Sequence, residues 1–162
     1  MPDNRIMFDK DNVRFNYRVA GVAIHNNTVL LVRMKEFSWW TLLGGRVEMM
    51  ERSDEALLRE MKEELGTEVK IERLLWTTEN FHGDETRYGH EINMFYLMML
   101  PQNCHMMKCD EYATEDDGTP ILFKWIPRSE ISQVEVYPSF LKKALLKLPE
   151  KTEHIIWNEI NR

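Results

Sequence analysis

Three glutamates cluster in the segment GRVEMMERSDEALLREMKEELGT, which runs from Gly45 to Thr67: Glu60, then Glu63 and Glu64 three and four residues on. On a helix these spacings set side chains beside one another, where like charges repel. At the helical rotation, Leu57, Leu58, Met61 and Leu65 form one apolar stripe. The three acids, with Ala56, fall on the adjoining stripe, so they border the core. A solvated helix edge would use the pairs Glu55–Arg59 and Arg59–Glu63. Those pairs leave Glu60 and Glu64 unexplained, because Arg59 alone cannot neutralise three acids. A hard divalent cation relieves the repulsion: Mg2+ takes oxygen ligands, keeps several waters, and is shared between one or two carboxylates and substrate phosphates. The pattern points to metal-assisted phosphate chemistry.

The surrounding sequence supplies the elements that must position this face. Asp54 and Glu55 suit the first turn of a helix, Ser53 is the expected N-cap, and Gly66 is the stop after Leu65. Upstream, FNYRVAGVAIHNNTVLLVRMK reads as two strands joined by a tight turn at Asn26 and Asn27. FSWWTLLGG follows as a loop or short strand ending in Gly44–Gly45. Downstream, VKIERLLWTTENF and HEINMFYLMML read as strands around a polar loop, HGDETRYG. A long acidic loop over 101–120 precedes the strand ILFKWIP, and YPSFLKKALLKL has the leucine spacing of an amphipathic packing helix. Strands on both sides of a central helix, with a second helix behind, give a mixed α/β layer fold.

The whole chain narrows the functional classes. Its 162 residues, 43% hydrophobic and 30% charged, fit one globular domain over 1–162. A formal net charge of −6 argues against duplex nucleic acid as a partner, but not against a small phosphorylated ligand whose charge a cation can offset. The longest apolar run, MFYLMML, is too short to span a bilayer, and the first ten residues lack the apolar stretch of a signal peptide. A cytoplasmic protein with no membrane partner is the expectation. Cys104 and Cys109 lack zinc-motif spacing and are expected to be free thiols.

The segment resembles the signature of the Nudix hydrolase family. Gly45 is followed by five residues and Glu51, then seven residues, then Arg59-Glu60-Met61-Lys62-Glu63-Glu64-Leu65-Gly66. Thr67 stands where an aliphatic residue is usual. The preceding hairpin, the glycine pair and the later FKWIP strand also look like the family. The resemblance implies an α/β/α sandwich with a mixed β-sheet, and hydrolysis of a pyrophosphate linkage in a small-molecule nucleotide substrate with Mg2+ or Mn2+. It implies Glu60, Glu64 and Glu63 as metal ligands, with the carbonyl of Gly44 completing the site. Arg59 is expected to hold Glu51, and Glu60 to act as general base. Some relatives take the base from a later loop, here holding Glu111, Glu115, Asp116 and Asp117. Others place an acid where this chain has Lys124.

Leu43 replaces a frequent proline, and Met50 stands where glycine often precedes the glutamate, a position at which positive φ would strain it. Trp39 and Trp40, with Phe37, are candidates to stack on a base, and His90 and Glu91, with His82, to line the pocket. The alternative from a different class is a catalytically silent nucleotide-binding module on the same fold, which would have no need to keep repelling carboxylates. A homodimer is left open.

Overall fold

A turn at Asn26 and Asn27, both at positive φ (47° and 59°), joins β2 (Val13–His25) to β3 (Thr28–Met34). Asparagine tolerates this left-handed geometry, so the hairpin signal is local. The computed structural model describes residues 3–160, and nine strands form one mixed sheet. Strand β2 is its hub. One edge pairs in parallel with β6 (Arg87–Met99). The other pairs antiparallel with β1 (Met7–Lys10), then β4 (Leu43–Arg46), then β3. Beyond β6 lie β5 (Lys70–Asp84), antiparallel, and β9 (Glu153–Asn158), parallel to β5. Beyond β3 lie β8 (Thr119–Pro127) and β7 (Glu111–Asp116), both antiparallel.

Strand alternation divides the core into two layers. Val19, Ala23, Leu30, Met98 and Phe123 pack with Ala56, Leu57 and Met61 of α1 (Ser53–Leu65). Val22, Leu31, Phe95 and Ile126 pack with Ile131, Phe140, Leu141 and Leu145. These last come from a 3-10 turn, Arg128–Gln133, and a single-turn helix α2, Leu141–Ala144. A register shift between Leu74 and Trp76 lets Leu75 and Trp76 both reach the second layer. The fold is thus an α/β arrangement around a mixed sheet, with one long helix.

Several sequence expectations need correction. The cap of α1 is Arg52, whose backbone amide donates to the Glu55 carboxylate (3.1 Å). Ser53 instead shares a hydrogen bond with the Tyr96 hydroxyl (2.7 Å). Leu58 is 41% exposed and does not belong to the buried stripe. HGDETRYG is mostly strand: β5 and β6 stay paired out to Asp84–Arg87, and Asp84 accepts from the Thr86 amide at the tip (2.9 Å). The 101–120 stretch contains a 3-10 turn, His105–Met107, and β7. The helix expected over YPSFLKKALLKL is a single α-helical turn; the Arg128 guanidinium donates to the Leu145 and Leu146 carbonyls just beyond it (both 2.8 Å), and Pro149 has no amide hydrogen to offer the Leu145 carbonyl. Both cysteines are free, Cys104 buried and Cys109 half-buried. Among the described residues no helix is long and apolar enough to cross a membrane.

The burial contrast on α1 gives a stability test. Leu57→Ala should cost about 2–5 kcal/mol, the range for emptying a packed core position. Leu58→Ala should stay within about 0.5 kcal/mol, as for a surface change. Urea melts of the two variants measure both.

Candidate active site

The glycine pair and α1 fit together through absent side chains. A Cβ on Gly44 would lie 2.0 Å from the Val19 carbonyl oxygen, so only glycine lets β4 approach β2 here. A Cβ on Gly45 would lie 2.1 Å from Glu60 Oε1, so Gly45 is the seat of the Glu60 carboxylate. Between β4 and α1 the chain loops through Met49 and Met50. Met50 is at φ 65° and almost wholly exposed.

Arg59 binds this loop to the helix. Its Nε and Nη2 donate to the two oxygens of Glu51 (2.8 and 3.0 Å), and Nη2 also donates to the Arg46 carbonyl (3.0 Å). Its Nη1 donates to Glu60 Oε1 (2.8 Å) and lies 3.5 Å from Glu63. Glu51 Oε2 in turn accepts from the Glu48 amide (2.9 Å). The Arg59 guanidinium is the main cause that holds Glu51 below the usual carboxylate range. Glu55 lies at 3.5 Å from Arg52, so the helix-surface pair Glu55–Arg59 does not form.

The three acids differ in environment. Glu63 is exposed, whereas Glu60 and Glu64 are turned inward. Burial raises the pKa of Glu60 against the opposing pull of Arg59. Burial, and then the charges of Glu60 and Asp116, push Glu64 from the ordinary 4.5 up to about 8. Glu64 Oε2 is buried with no hydrogen-bond partner. A carboxylate oxygen left so, beside a second carboxylate, suits a hard cation. Among the described residues no three His, Cys, Asp or Glu side chains converge to clasp a metal by themselves. The donor set therefore fits a Mg2+-like ion that takes one or two carboxylates and fills its shell with water and substrate oxygens. Asp116, on β7, is the acid of the 111–117 segment whose charge Glu64 feels. Lys124 lies opposite Glu111, at 3.6 Å.

The sheet face away from α1 carries a polar floor. Asn16, Thr78, Asn80 and Asn93 are buried there. Arg46 Nε donates to Asn16 Oδ1 (2.8 Å), and Asn16 Nδ2 donates to Glu91 Oε1 (3.2 Å). Glu91 lies 3.6 Å from His82. Burial raises the Glu91 pKa, but His82 and Arg18 outweigh it and hold it low, while Glu91 draws the His82 pKa up. Thr78 Oγ1 and Asn80 Oδ1 are buried without partners. Asn16, Arg18, Thr78, Asn80 and Asn93 escaped the sequence reading. The signal was there: polar residues at every second position of strands otherwise rich in apolar ones.

The structure separates the candidate substrate contacts. His90 stacks on Phe81 (4.6 Å) and meets Phe15 edge-on, on the opposite face from its neighbour Glu91. Trp40 is only 8% exposed and packs in the core with Arg33 over its ring, which corrects the expectation that it could stack on a base. Trp39 is half-buried, stacked on Phe37 (5.2 Å) and edge-on to Tyr137 (5.8 Å).

Comparison with known proteins agrees with this geometry. The NUDIX domain family model matches residues 15–148. The nucleoside triphosphatase NudI of Escherichia fergusonii is 28% identical over 116 residues, covering 67% of this chain and 75% of that protein. The ADP-ribose pyrophosphatase of Methanocaldococcus jannaschii is 32% identical over 83 residues, and the match spans about half of each chain (49% and 48%). A MutT NUDIX hydrolase from Burkholderia pseudomallei shares the fold with a TM-score of 0.60 at 20% identity, over 82% of this chain and 98% of that one. The chain belongs to the Nudix family of pyrophosphohydrolases.

Two outcomes follow from this loop and helix. Met50→Gly should stabilise the protein by about 0.5–1 kcal/mol, since a side chain in left-handed backbone costs about 1–2 kcal/mol and glycine returns part of that as unfolded-state entropy. Thermal melts check it. Glu64 has a native pKa above its unfolded value, so its protonated form favours folding and its contribution falls as pH rises from about 4.5 through about 8. In EDTA, Glu64→Gln should be more stable than the parent at pH 8, with the gap closing as pH falls towards 4.5. Denaturant midpoints across that range give the comparison.

Proposed function

We propose that the protein hydrolyses a pyrophosphate linkage in a nucleoside di- or triphosphate or a nucleoside-diphosphate derivative, with Mg2+ or Mn2+ as cofactor. The observation that carries this reading is the buried, unpartnered Glu64 oxygen beside Glu60. Glu60 and Glu64 would hold the cation, with Glu63 from the exposed edge and the Gly44 carbonyl as further oxygen donors. When bound, the cation supplies charge neutralisation to the phosphate oxygens and a lowered pKa to water. Glu60 takes the proton of the attacking water, since burial raises its affinity for one. Arg59 and Glu51 fix where that carboxylate stands. Trp39, with Phe37 and Tyr137, offers the aromatic surface for a base. The relatives named as a nucleoside triphosphatase and an ADP-ribose pyrophosphatase support the anhydride class and leave the nucleotide open.

A nucleotide panel with Mg2+ or Mn2+, read as released phosphate and pyrophosphate, tests the proposal. Activity should vanish in excess EDTA. Glu60→Gln and Glu64→Gln should each lose at least about 10²-fold in turnover, the lower scale for removing an acid–base group. Glu55→Gln, whose carboxylate is exposed and paired with Arg52, should turn over nearly as the parent does. Equal activity in Glu60→Gln and Glu55→Gln would reduce the acidic cluster to a solvated helix edge.

A further inference from the structure

Past the matched limit of residue 148 the chain lays β9 along β5 with Trp157 beside Asn80. The indole therefore enters the second layer, where it packs on Phe140 (6.0 Å). Just after the strand, the Glu159 carboxylate reaches Ser139. Its Oε1 accepts from the Ser139 amide (3.0 Å) and from the Ser139 hydroxyl, and that hydroxyl accepts from the Trp157 indole (3.2 Å). An indole can only donate and an ionised carboxylate can only accept, so the directions form one relay from Trp157 through Ser139 to Glu159. Both bonds to the half-buried Glu159 carboxylate are charge-assisted, the stronger class of hydrogen bond.

Ser139 lies two residues from Tyr137, whose exposed ring stands edge-on to Trp39 (5.8 Å). On the near side of Tyr137 the backbone is already fixed. The Trp40 amide donates to the Glu135 carbonyl (2.7 Å), and the Tyr137 amide donates to the Trp40 carbonyl (2.9 Å). On the far side, among the described residues, the Ser139 side chain bonds to Glu159 and Trp157, so the C-terminal segment supplies the second anchor. Glu91 is the main cause that raises the His82 pKa, and the Glu159 charge adds to it. The Glu159 carboxylate thus stands within reach of both the aromatic segment and the polar floor. We propose that Glu159 is a positioning residue for the nucleoside end of the ligand: through Ser139 it fixes Tyr137 against Trp39, and so sets the aromatic wall for a base. This rests on the hydrolysis reading for the class of ligand and on Trp39 and Tyr137 as the base surface. The tie itself involves neither the α1 acids nor a metal.

Steady-state hydrolysis of the best nucleotide of the panel tests it, with inorganic pyrophosphate as a competing ligand that has no base. Glu159→Ala should raise KM about tenfold, the scale of one charge-assisted hydrogen bond, with kcat kept within about twofold. The inhibition constant of pyrophosphate should stay at the parent's value. Glu159→Gln keeps an acceptor oxygen for Ser139 and should restore most of the lost affinity. Ser139→Ala removes the hydroxyl and leaves the amide, so it should raise KM by a smaller factor, and it serves where Glu159→Ala does not fold. The double variant should be no worse than Glu159→Ala, because both changes sever one contact. Hydrogen exchange reads the same tie without a ligand: amides of 135–139 should exchange faster in Glu159→Ala, while those of α1 stay as protected as in the parent. An unchanged KM in Glu159→Ala overturns the positioning role. So does pyrophosphate inhibition weakened as much as KM is raised, which would mark a general loosening of the fold. If the parent hydrolyses no nucleotide, the hydrolysis reading fails, and calorimetric titration of ADP and pyrophosphate decides in its place. Weaker ADP binding by Glu159→Ala with pyrophosphate binding kept upholds the positioning role, and equal ADP binding overturns it.

Discussion

The bidentate contact from Arg59 to Glu51 is the constraint on which the candidate site depends. One guanidinium reaches the loop carboxylate, the strand carbonyl of Arg46 and the helix carboxylate of Glu60 at once. Such an ion pair, half-buried and with both forks engaged, is stronger than the usual exposed surface pair. It fixes the height of α1 against β4, and that height decides whether Glu60 rests on the bare backbone of Gly45. Met50 can occupy left-handed backbone in the same loop because both ends of the loop are held from outside it.

Around this latch the molecule keeps two charge imbalances of opposite sign. On one side Glu64 is buried with an empty acceptor. On the other face of the sheet, Arg18 and Arg46 stand opposite each other and share the nearby Glu91 carboxylate. The Glu64 arrangement alone weakens the fold, since an unpaired buried group loses hydration without recovering it. Arg18 feels both the helix acids and Glu91, so the two imbalances share one electrostatic neighbourhood instead of cancelling by direct contact.

Much of the site was readable from spacing because helical geometry converts sequence distance directly into spatial distance. Glu60, Glu63, Glu64, Arg59 and Glu51 lie within one loop–helix unit, so a linear motif describes them. The polar floor was not readable that way. Asn16, Arg18, Arg46, Thr78, Asn80, Glu91 and Asn93 come from four strands and meet only through sheet register, which long-range pairing decides. The failed boundaries have similar causes. Leucine periodicity over YPSFLKKALLKL reported an apolar face correctly, yet the regular helix is only Leu141–Ala144: Pro149 has no amide hydrogen for the Leu145 carbonyl, which Arg128, distant in sequence, takes instead. β9 gave little warning because EHIIWN is short and mostly exposed, and its pairing with β5 is non-local.

That last strand has a consequence for where the molecule can be cut. The family match ends at residue 148, before β9 begins at Glu153. Yet β9 runs alongside Trp76–Phe81, the Glu159 amide donates to the Phe81 carbonyl (2.7 Å), and the Trp157 indole donates to the Ser139 hydroxyl (3.2 Å). A chain trimmed to the matched limits would bare the edge of β5 beside a tryptophan-rich core, and an open strand edge of that length is a template for pairing with another molecule. The short terminal strand thus serves as the selvedge of the sheet: it is woven in after the family pattern has finished, and it keeps the fabric from joining its neighbour.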